Sequence, residues 1–308
     1  MGLRQFAAIA LLALVAGCQP GPAPPADTGT TSVAVLVVAH GSPAAGWTAA
    51  VQALVDGAGA ALRGDPLLKD LQLAYIAESG PTIAEQMRRF DAAGIREVVI
   101  VPLLVAAEST RTNNYLQYLA GLRSEAAAIR QLQNEGYDLY RPRARVSLTP
   151  ALSDSNVLKK NTLRRVTALL GDDDGEDAGL VLVGYGDRVY GQQMEEIMDG
   201  IGRNVKLKTR IDTIAYAFCG KLTDYSGTPV VEAINEVLGL EDRAIVVPVL
   251  LAVDPRLQVD TIQAAVNAIE TPSRVRYEPD AVLPDPAVEE WLVGVAREAL
   301  DRVRQAGT

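Results

Sequence analysis

The chain has 308 residues, 48% of them hydrophobic and 22% charged, with 29 basic and 38 acidic side chains for a net charge of −9. This balance supplies apolar material for packed cores and excludes a disordered or coiled-coil chain. No basic stripe, arginine-rich arm or zinc-finger spacing is present, so nucleic acid is not an expected partner, and two cysteines, Cys18 and Cys219, are too few for a disulfide framework.

At the start, Arg4 precedes an apolar run from Phe6 to Ala16 that closes on Val15-Ala16-Gly17-Cys18, the layout of a secretory signal. The run is too short to span a bilayer. Its ending resembles the bacterial lipobox, which implies that residues 1–17 are a signal peptide and that Cys18 is lipidated. Gln19 to Thr30 (QPGPAPPADTGT) reads as a proline-stiffened tether, so residues 18–31 form a lipid-attached linker. Two or more acyl chains, at about 0.8 kcal/mol per buried methylene, would anchor the chain stably. The expected address is the cell envelope. Gln19, where an aspartate would retain such lipoproteins at the inner membrane, favours the periplasmic face of the outer membrane.

Beyond the tether, Val33 to Ala39 (VAVLVVA) has the valine-rich continuity of a central parallel strand buried on both faces. Trp47 to Leu62 carries small and apolar residues at helical spacing. A strand is expected over Leu71–Ile76, a helix over Pro81–Phe90, and a strand over Glu97–Val105 (EVVIVPLLV). A helix over Thr112–Leu122, a short strand over Ala144–Leu148 and a helix from about Ser153 to Leu170 follow. This alternation means βαβ units with right-handed crossovers and a sheet covered on both sides.

Gly171 to Gly179 (GDDDGEDAG) is an acidic, glycine-punctuated link, and the sequence after it repeats what came before. Gly179–Gly184 mirrors the first strand, Asp212–Ala217 the second, Ala244–Ala252 the third and Arg274–Tyr277 the fourth. His40 and Tyr185 stand 145 residues apart, Pro102 and Pro248 146, and Pro81 and Pro229 148. Such constant offsets indicate an internal duplication. The expected fold is therefore α/β, with two flavodoxin-like three-layer domains and parallel sheets, over residues 32–170 and 178–308. Ser124 to Arg141 is extra helix-like material found in the first half only.

His40, the single histidine, follows the first strand directly within Ala39-His40-Gly41-Ser42. In open parallel sheets ligands bind beyond the carboxyl ends of the strands, so a functional side chain is expected there. A neutral imidazole can bind a transition metal or exchange a proton, and the alternative is a loop histidine bonded to backbone. The second strand leads to Tyr75, Glu78 and Ser79, and the third to Glu108, Ser109, Thr110 and Arg111; His40 with Glu78 or Glu108 makes a two-ligand candidate metal site. Cys219 ends an apolar strand and, with Tyr216 and Tyr185, could line the crevice as a metal ligand, but an inert buried thiol is the commoner outcome for such a cysteine. No GxGxxG with its downstream acid is present, so a nucleotide cofactor is not expected, and no GxSxG elbow frames Ser42.

The runs VLVVAHGS (Val35–Ser42), LAYIAESGPTI (Leu73–Ile83) and VPLLVAAEST (Val101–Thr110) resemble the class II chelatases that insert cobalt or iron into sirohydrochlorin. The resemblance covers most of residues 33–150, with a weaker copy over about 179–290. It implies that His40 binds the incoming metal. Two departures accompany it: the family's second histidine falls at Thr110, a poor ligand beside imidazole, and its acid falls at Ala77, with Glu78 one residue later. In the second half Tyr185-Gly186-Asp187 replaces His40-Gly41-Ser42, and Arg256 replaces Thr110, with Asp254 close by.

The resemblance implies metal handling by His40 and Glu78, with Glu108 as a further ligand and Ser42, Tyr75, Thr110, Arg111, Tyr185 and Arg256 around a tetrapyrrole. Arg111 and Arg256 would face its carboxylates. Cobalt or iron is expected as substrate or ligand. Two alternatives stay open: an envelope lipoprotein that binds metal, heme or tetrapyrrole without turnover, and an interaction module that kept only the fold.

Overall fold

The computed structural model describes residues 32–76, 80–106, 110–186 and 191–306. Residues from Thr31 onward form one compact unit. The signal, the lipobox with Cys18 and the tether lie outside the described residues. Among the described residues no helix is long and apolar enough to cross a membrane.

The first half contains β1 (Val33–Ala39), α1 (Ala45–Leu62), β2 (Leu68–Tyr75), α2 (Ile83–Ala92), β3 (Glu97–Pro102), α3 (Thr110–Leu119), α4 (Ala126–Asn134), β4 (Arg145–Leu148) and α5 (Val157–Leu170). The second contains β5 (Ala178–Tyr185), α6 (Gly191–Lys206), β6 (Ile214–Cys219), α7 (Thr228–Leu238), β7 (Arg243–Val249), β8 (Val275–Tyr277) and α10 (Pro286–Ala306). Between β7 and β8 runs a helical stretch made of α8 (Pro255–Leu257), a π-helical turn (Gln258–Gln263) and α9 (Ala264–Asn267). The strands form two parallel four-stranded sheets, ordered β2-β1-β3-β4 and β6-β5-β7-β8.

The two sheets share a register as well as an order. Pro102 stands opposite Val38, and Pro248 opposite Val183, in each case two residues before the His40 or Tyr185 position. The duplication read from the sequence is thus a duplication of fold. The third strands end sooner than their apolar runs suggest, at Pro102 and Val249, and the remaining apolar residues leave the ladder to line the space beyond the strand ends.

The central strands are buried on both faces, and alternation sorts their side chains between cores. Val33, Val35, Val37 and Ala39 point into one core, and Ala34, Leu36 and Val38 into another. The first of these cores is common to both lobes, because Leu180, Leu182, Ile245 and Val247 of the second sheet belong to it too. The outer faces have separate cores. On the first sheet, Met87 and Phe90 of α2, Tyr115 and Leu116 of α3 and Leu132 of α4 close it; on the second, Val230 and Ile234 of α7 and Ile262 do. The extra 124–141 material therefore has a structural role. Leu132 is buried in it, and the hydroxyls of Tyr115 and Tyr118 donate to the carbonyls of Asp138 and Leu139, which seals the outer layer.

The last helix of each half crosses to the other sheet. Helix α5 packs on β7 and α6, and α10 packs on β3 and α1. Leu158, Val166, Val288, Leu292 and Leu300 place these two helices in the shared core. At the contact of α1 with α10 the Glu289 carboxylate lies over Gly57, 2.8 Å from where a Cβ would stand, so a side chain there would only have to displace the end of Glu289. The acidic link after α5 consequently docks on the second lobe: Asp173 pairs with Arg243 and Arg276, and Arg276 donates to the carbonyls of Leu169 and Leu170 at the end of α5. In space, the chain changes lobes before α5.

The two exchanged helices meet at Asp285, just before α10. Its carboxylate accepts from Asn161 Nδ2 (2.8 Å), from Arg164 (3.1 and 3.2 Å) and from the Ala287 amide (2.9 Å). Burial alone would raise its pKa, but the bonds from Asn161, Arg164 and Ala287 outweigh it and hold the carboxyl below its ordinary value. A carboxyl depressed in the folded state contributes stability above its unfolded pKa and loses it as pH falls through the folded value. Asp285→Asn is therefore expected to lower stability at neutral pH and to flatten its decline below about pH 4, measured by denaturant titration across that range.

Candidate functional site

The carboxyl ends of both sheets open on one cleft of about 640 Å³ between the lobes, within the range of small-molecule sites. The first lobe contributes residues His40 to Ala44, Trp47 and the 103–106 stretch; the second contributes Tyr185, Lys221, Tyr225, the 249–252 stretch and residues 254–257. The lining is largely apolar, with a few polar groups converging on it.

His40 is half-buried in the cleft wall, where the chain leaves β1. Its Nδ1 lies 3.3 Å from the Gly41 carbonyl oxygen, a contact that favours the proton on Nδ1 and the ligating lone pair on Nε2. Its ring faces that of Tyr185 across the cleft, centroids 5.9 Å apart and planes tilted by 50°. These are the two duplicated positions, so the internal symmetry sets imidazole against phenol. Tyr185 lies against Gly220, whose φ is +97° and where an added Cβ would meet the phenol ring at 2.5 Å.

Ser42 joins the lobes. Its hydroxyl donates to Asp254 Oδ2 at 2.7 Å and accepts from the Ala44 amide at 3.1 Å. Asp254 in turn accepts from the Arg256 amide through Oδ1, and its own amide donates to Gln258 Oε1 at 2.9 Å. Gln258 is fully buried, and its Nε2 reaches the carbonyls of Ala252 and Asp280. The π-helical turn begins at Gln258, and such turns are frequent at functional sites. Neither Asp254's bond to Ser42 nor the bracing role of Gln258 was foreseen. The pairing spans more than two hundred positions, and only the meeting of the lobes creates it.

Of the residues read from sequence, the structure thus brings His40, Ser42, Tyr185 and Arg256 to one cleft. Tyr75 is not among the lining residues. It is 5% exposed and packs under Trp47, ring centroids 6.2 Å apart, and burial pushes its hydroxyl pKa up. Glu78 and Glu108 lie outside the described residues. Thr110 and Arg111 open α3, and their side chains are likewise outside the description. Among the described residues, no three His, Cys, Asp or Glu side chains come together as a metal site.

Two crevice candidates belong elsewhere. Tyr216 points outward on β6, its hydroxyl 3.4 Å from an Asp199 carboxylate oxygen. Cys219 faces the outer core with no exposed surface, because alternation along β6 turns it away from Phe218. Burial pushes its thiol pKa up to about 12, which leaves almost no thiolate at neutral pH. Iodoacetamide at pH 8 should therefore leave Cys219 unmodified in the folded protein and alkylate it in denaturant, resolved by peptide mass mapping; rapid native alkylation would contradict this placement.

Residues 34–169 match the CbiX family model. None of the curated proteins matches the chain in sequence. Among solved structures, the chain is similar to SirB from Bacillus subtilis with Fe3+, at TM-score 0.62 and 18% identity over 87% of this chain and 95% of that one. It is similar to the sirohydrochlorin chelatase SirB from Bacillus subtilis subspecies spizizenii in complex with cobalt, at 0.59 and 17% over 87% and 94%. It is also similar to CbiX, described as the terminal enzyme for biosynthesis of siroheme in denitrifying bacteria, at 0.53 and 17% over 87% and 99%. The chain is thus CbiX/SirB-like: its first half carries the family's sequence pattern, and its described length has the two-lobed class II chelatase fold.

Proposed function

We propose that the inter-lobe cleft takes a tetrapyrrole and a divalent metal ion, cobalt or iron, and inserts the metal as a sirohydrochlorin-type chelatase does. The observation that carries the reading is the placement of the chain's single imidazole at the mouth of β1, in the wall of a cleft large enough to hold much of a macrocycle. The relatives with this fold, one in complex with cobalt and one an enzyme of siroheme biosynthesis, support it.

Insertion exchanges one divalent ion for the two protons on the pyrrole nitrogens, so it needs a ligand that delivers the ion and bases that take the protons. In this reading neutral His40 holds the ion through Nε2, releases it to the ring nitrogens and can then accept a proton. Glu78 and Glu108 complete the ligand set and take the remaining proton. Ser42, tied to Asp254, sets the loop that carries His40. The test is insertion of cobalt or ferrous iron into sirohydrochlorin, followed by absorbance. Turnover that depends on protein supports the reading; none under any metal removes the enzymatic claim.

A second reading, binding without turnover, is favoured by two features of the sequence: His40 has no second histidine anywhere in the chain, and Val15-Ala16-Gly17-Cys18 resembles a lipobox, which would direct the protein to the envelope. In it Cys18 is lipidated, and the cleft captures metal, heme or tetrapyrrole at the membrane. Calorimetry with cobalt, nickel, zinc and hemin separates the two, since binding without insertion selects this one. Loss of fatty-acid labelling in Cys18→Ala is the expected sign of the anchor.

A further inference from the structure

The second lobe's end of the cleft carries an unusual turn. Asp224 and Tyr225 both adopt positive φ, 50° and 57°, a region that non-glycine residues seldom occupy and that clusters at ligand sites. The turn is closed by the Tyr225 amide, which donates to the Gly220 carbonyl at 2.8 Å. Its result is a stacked pair: the Arg256 guanidinium carbon sits 3.3 Å from the centroid of the Tyr225 ring. The buried Thr261 hydroxyl lies 2.8 Å from the Arg256 carbonyl oxygen and 3.3 Å from that of Tyr225, so one side chain braces both backbones.

Stacking occupies a face of the guanidinium and leaves its N–H edges for a planar anion. Lys221, on the neighbouring 3-10 turn, lines the same cleft. Among the described residues, neither Lys221 nor Arg256 forms an ion pair with a carboxylate, although the chain carries an excess of acidic residues.

We propose that Lys221 and Arg256, the latter preset on Tyr225, form a carboxylate-binding subsite that takes acid side chains on the rim of the macrocycle and fixes its orientation. The duplicated lobes then divide the work: the first presents the imidazole to the ring nitrogens, and the second grips the acidic edge. This inference rests on the tetrapyrrole reading. It adds Lys221 and Tyr225, which the sequence did not single out, and assigns the acid grip to the second lobe.

The probes are the octacarboxylate uroporphyrin and the tetracarboxylate coproporphyrin, titrated by fluorescence against the whole protein, the Lys221→Ala/Arg256→Ala double variant and Tyr225→Leu. The wild type is expected to prefer uroporphyrin by about tenfold or more, a preference of the size that charge-assisted hydrogen bonds supply. In the double variant it should fall to about twofold or less, with coproporphyrin affinity changed by less than about threefold. Tyr225→Leu should shift uroporphyrin binding in the same direction by a smaller factor, because the arginine keeps its charge and loses its support. A preference that survives the double variant overturns the subsite, and so does an equal loss for both porphyrins. Failure of the wild type to bind either porphyrin overturns the tetrapyrrole reading and this inference with it, whereas binding without preference overturns the subsite alone.

Discussion

On the proposed chelatase reading, replacing His40 with alanine is expected to abolish metal insertion, lowering turnover by about 100-fold or more, the scale on which proton transfer by a positioned side chain contributes. The effect should be large because no other imidazole exists in the chain. Across the cleft, its symmetry mate Tyr185 offers a phenol, which neither matches imidazole as a ligand nor accepts a proton readily near neutral pH. Cobalt affinity should fall with turnover, while the unfolding midpoint should barely move, since the ring sits in the cleft wall and not in a core. Cobalt titration, insertion kinetics and thermal unfolding on the same preparations check all three. Retained insertion would show that the metal is delivered from elsewhere.

Leu292→Ala is expected to cost about 2–5 kcal/mol, the range for truncating a fully buried leucine. Leu292 has no exposed surface, and its helix, the last in the chain, is packed on β3 and α1 of the first lobe. The damage should therefore appear far away in sequence. Native-state hydrogen exchange should speed up most at the amides of β1 and β3, with those of β5 and β6 affected less. The mirror substitution, Val166→Ala in α5, should do the reverse, because α5 lies against β7 and α6. Loss of protection confined to the lobe nearest in sequence would contradict the helix exchange.

The sheets were legible because a strand buried on both faces must be apolar nearly throughout, and the two central strands, VAVLVVA and the run ending in Tyr185, have that pattern. The duplication was legible through prolines and strand ends, whose spacing survives although the side chains at the strand mouths have diverged. Helix length was read to within a few residues; the ends were set by local contacts such as the Thr82–Glu85 capping box, which opens α2 at Ile83, two residues later than Pro81 suggests. For Cys219, which ends a strand near a glycine, the sequence leaves both the crevice and the core open and favours an inert buried thiol; the pleat turns it into the core, a choice of face that position along a strand does not reveal.

The sequence by itself determined the α/β class, the two parallel sheets and the place of His40 at a strand mouth, since these follow from periodicity and from where strands must end. Tertiary structure alone decided that α5 and α10 change places, that Ser42 reaches Asp254, and that Arg256 lies on Tyr225. An apolar helix face carries no label for the sheet it will cover, and two loops far apart in the chain meet only after the lobes share a core. Local pattern encodes which surfaces must be buried; the choice of partner among several equally apolar surfaces is settled by the packing of the whole chain.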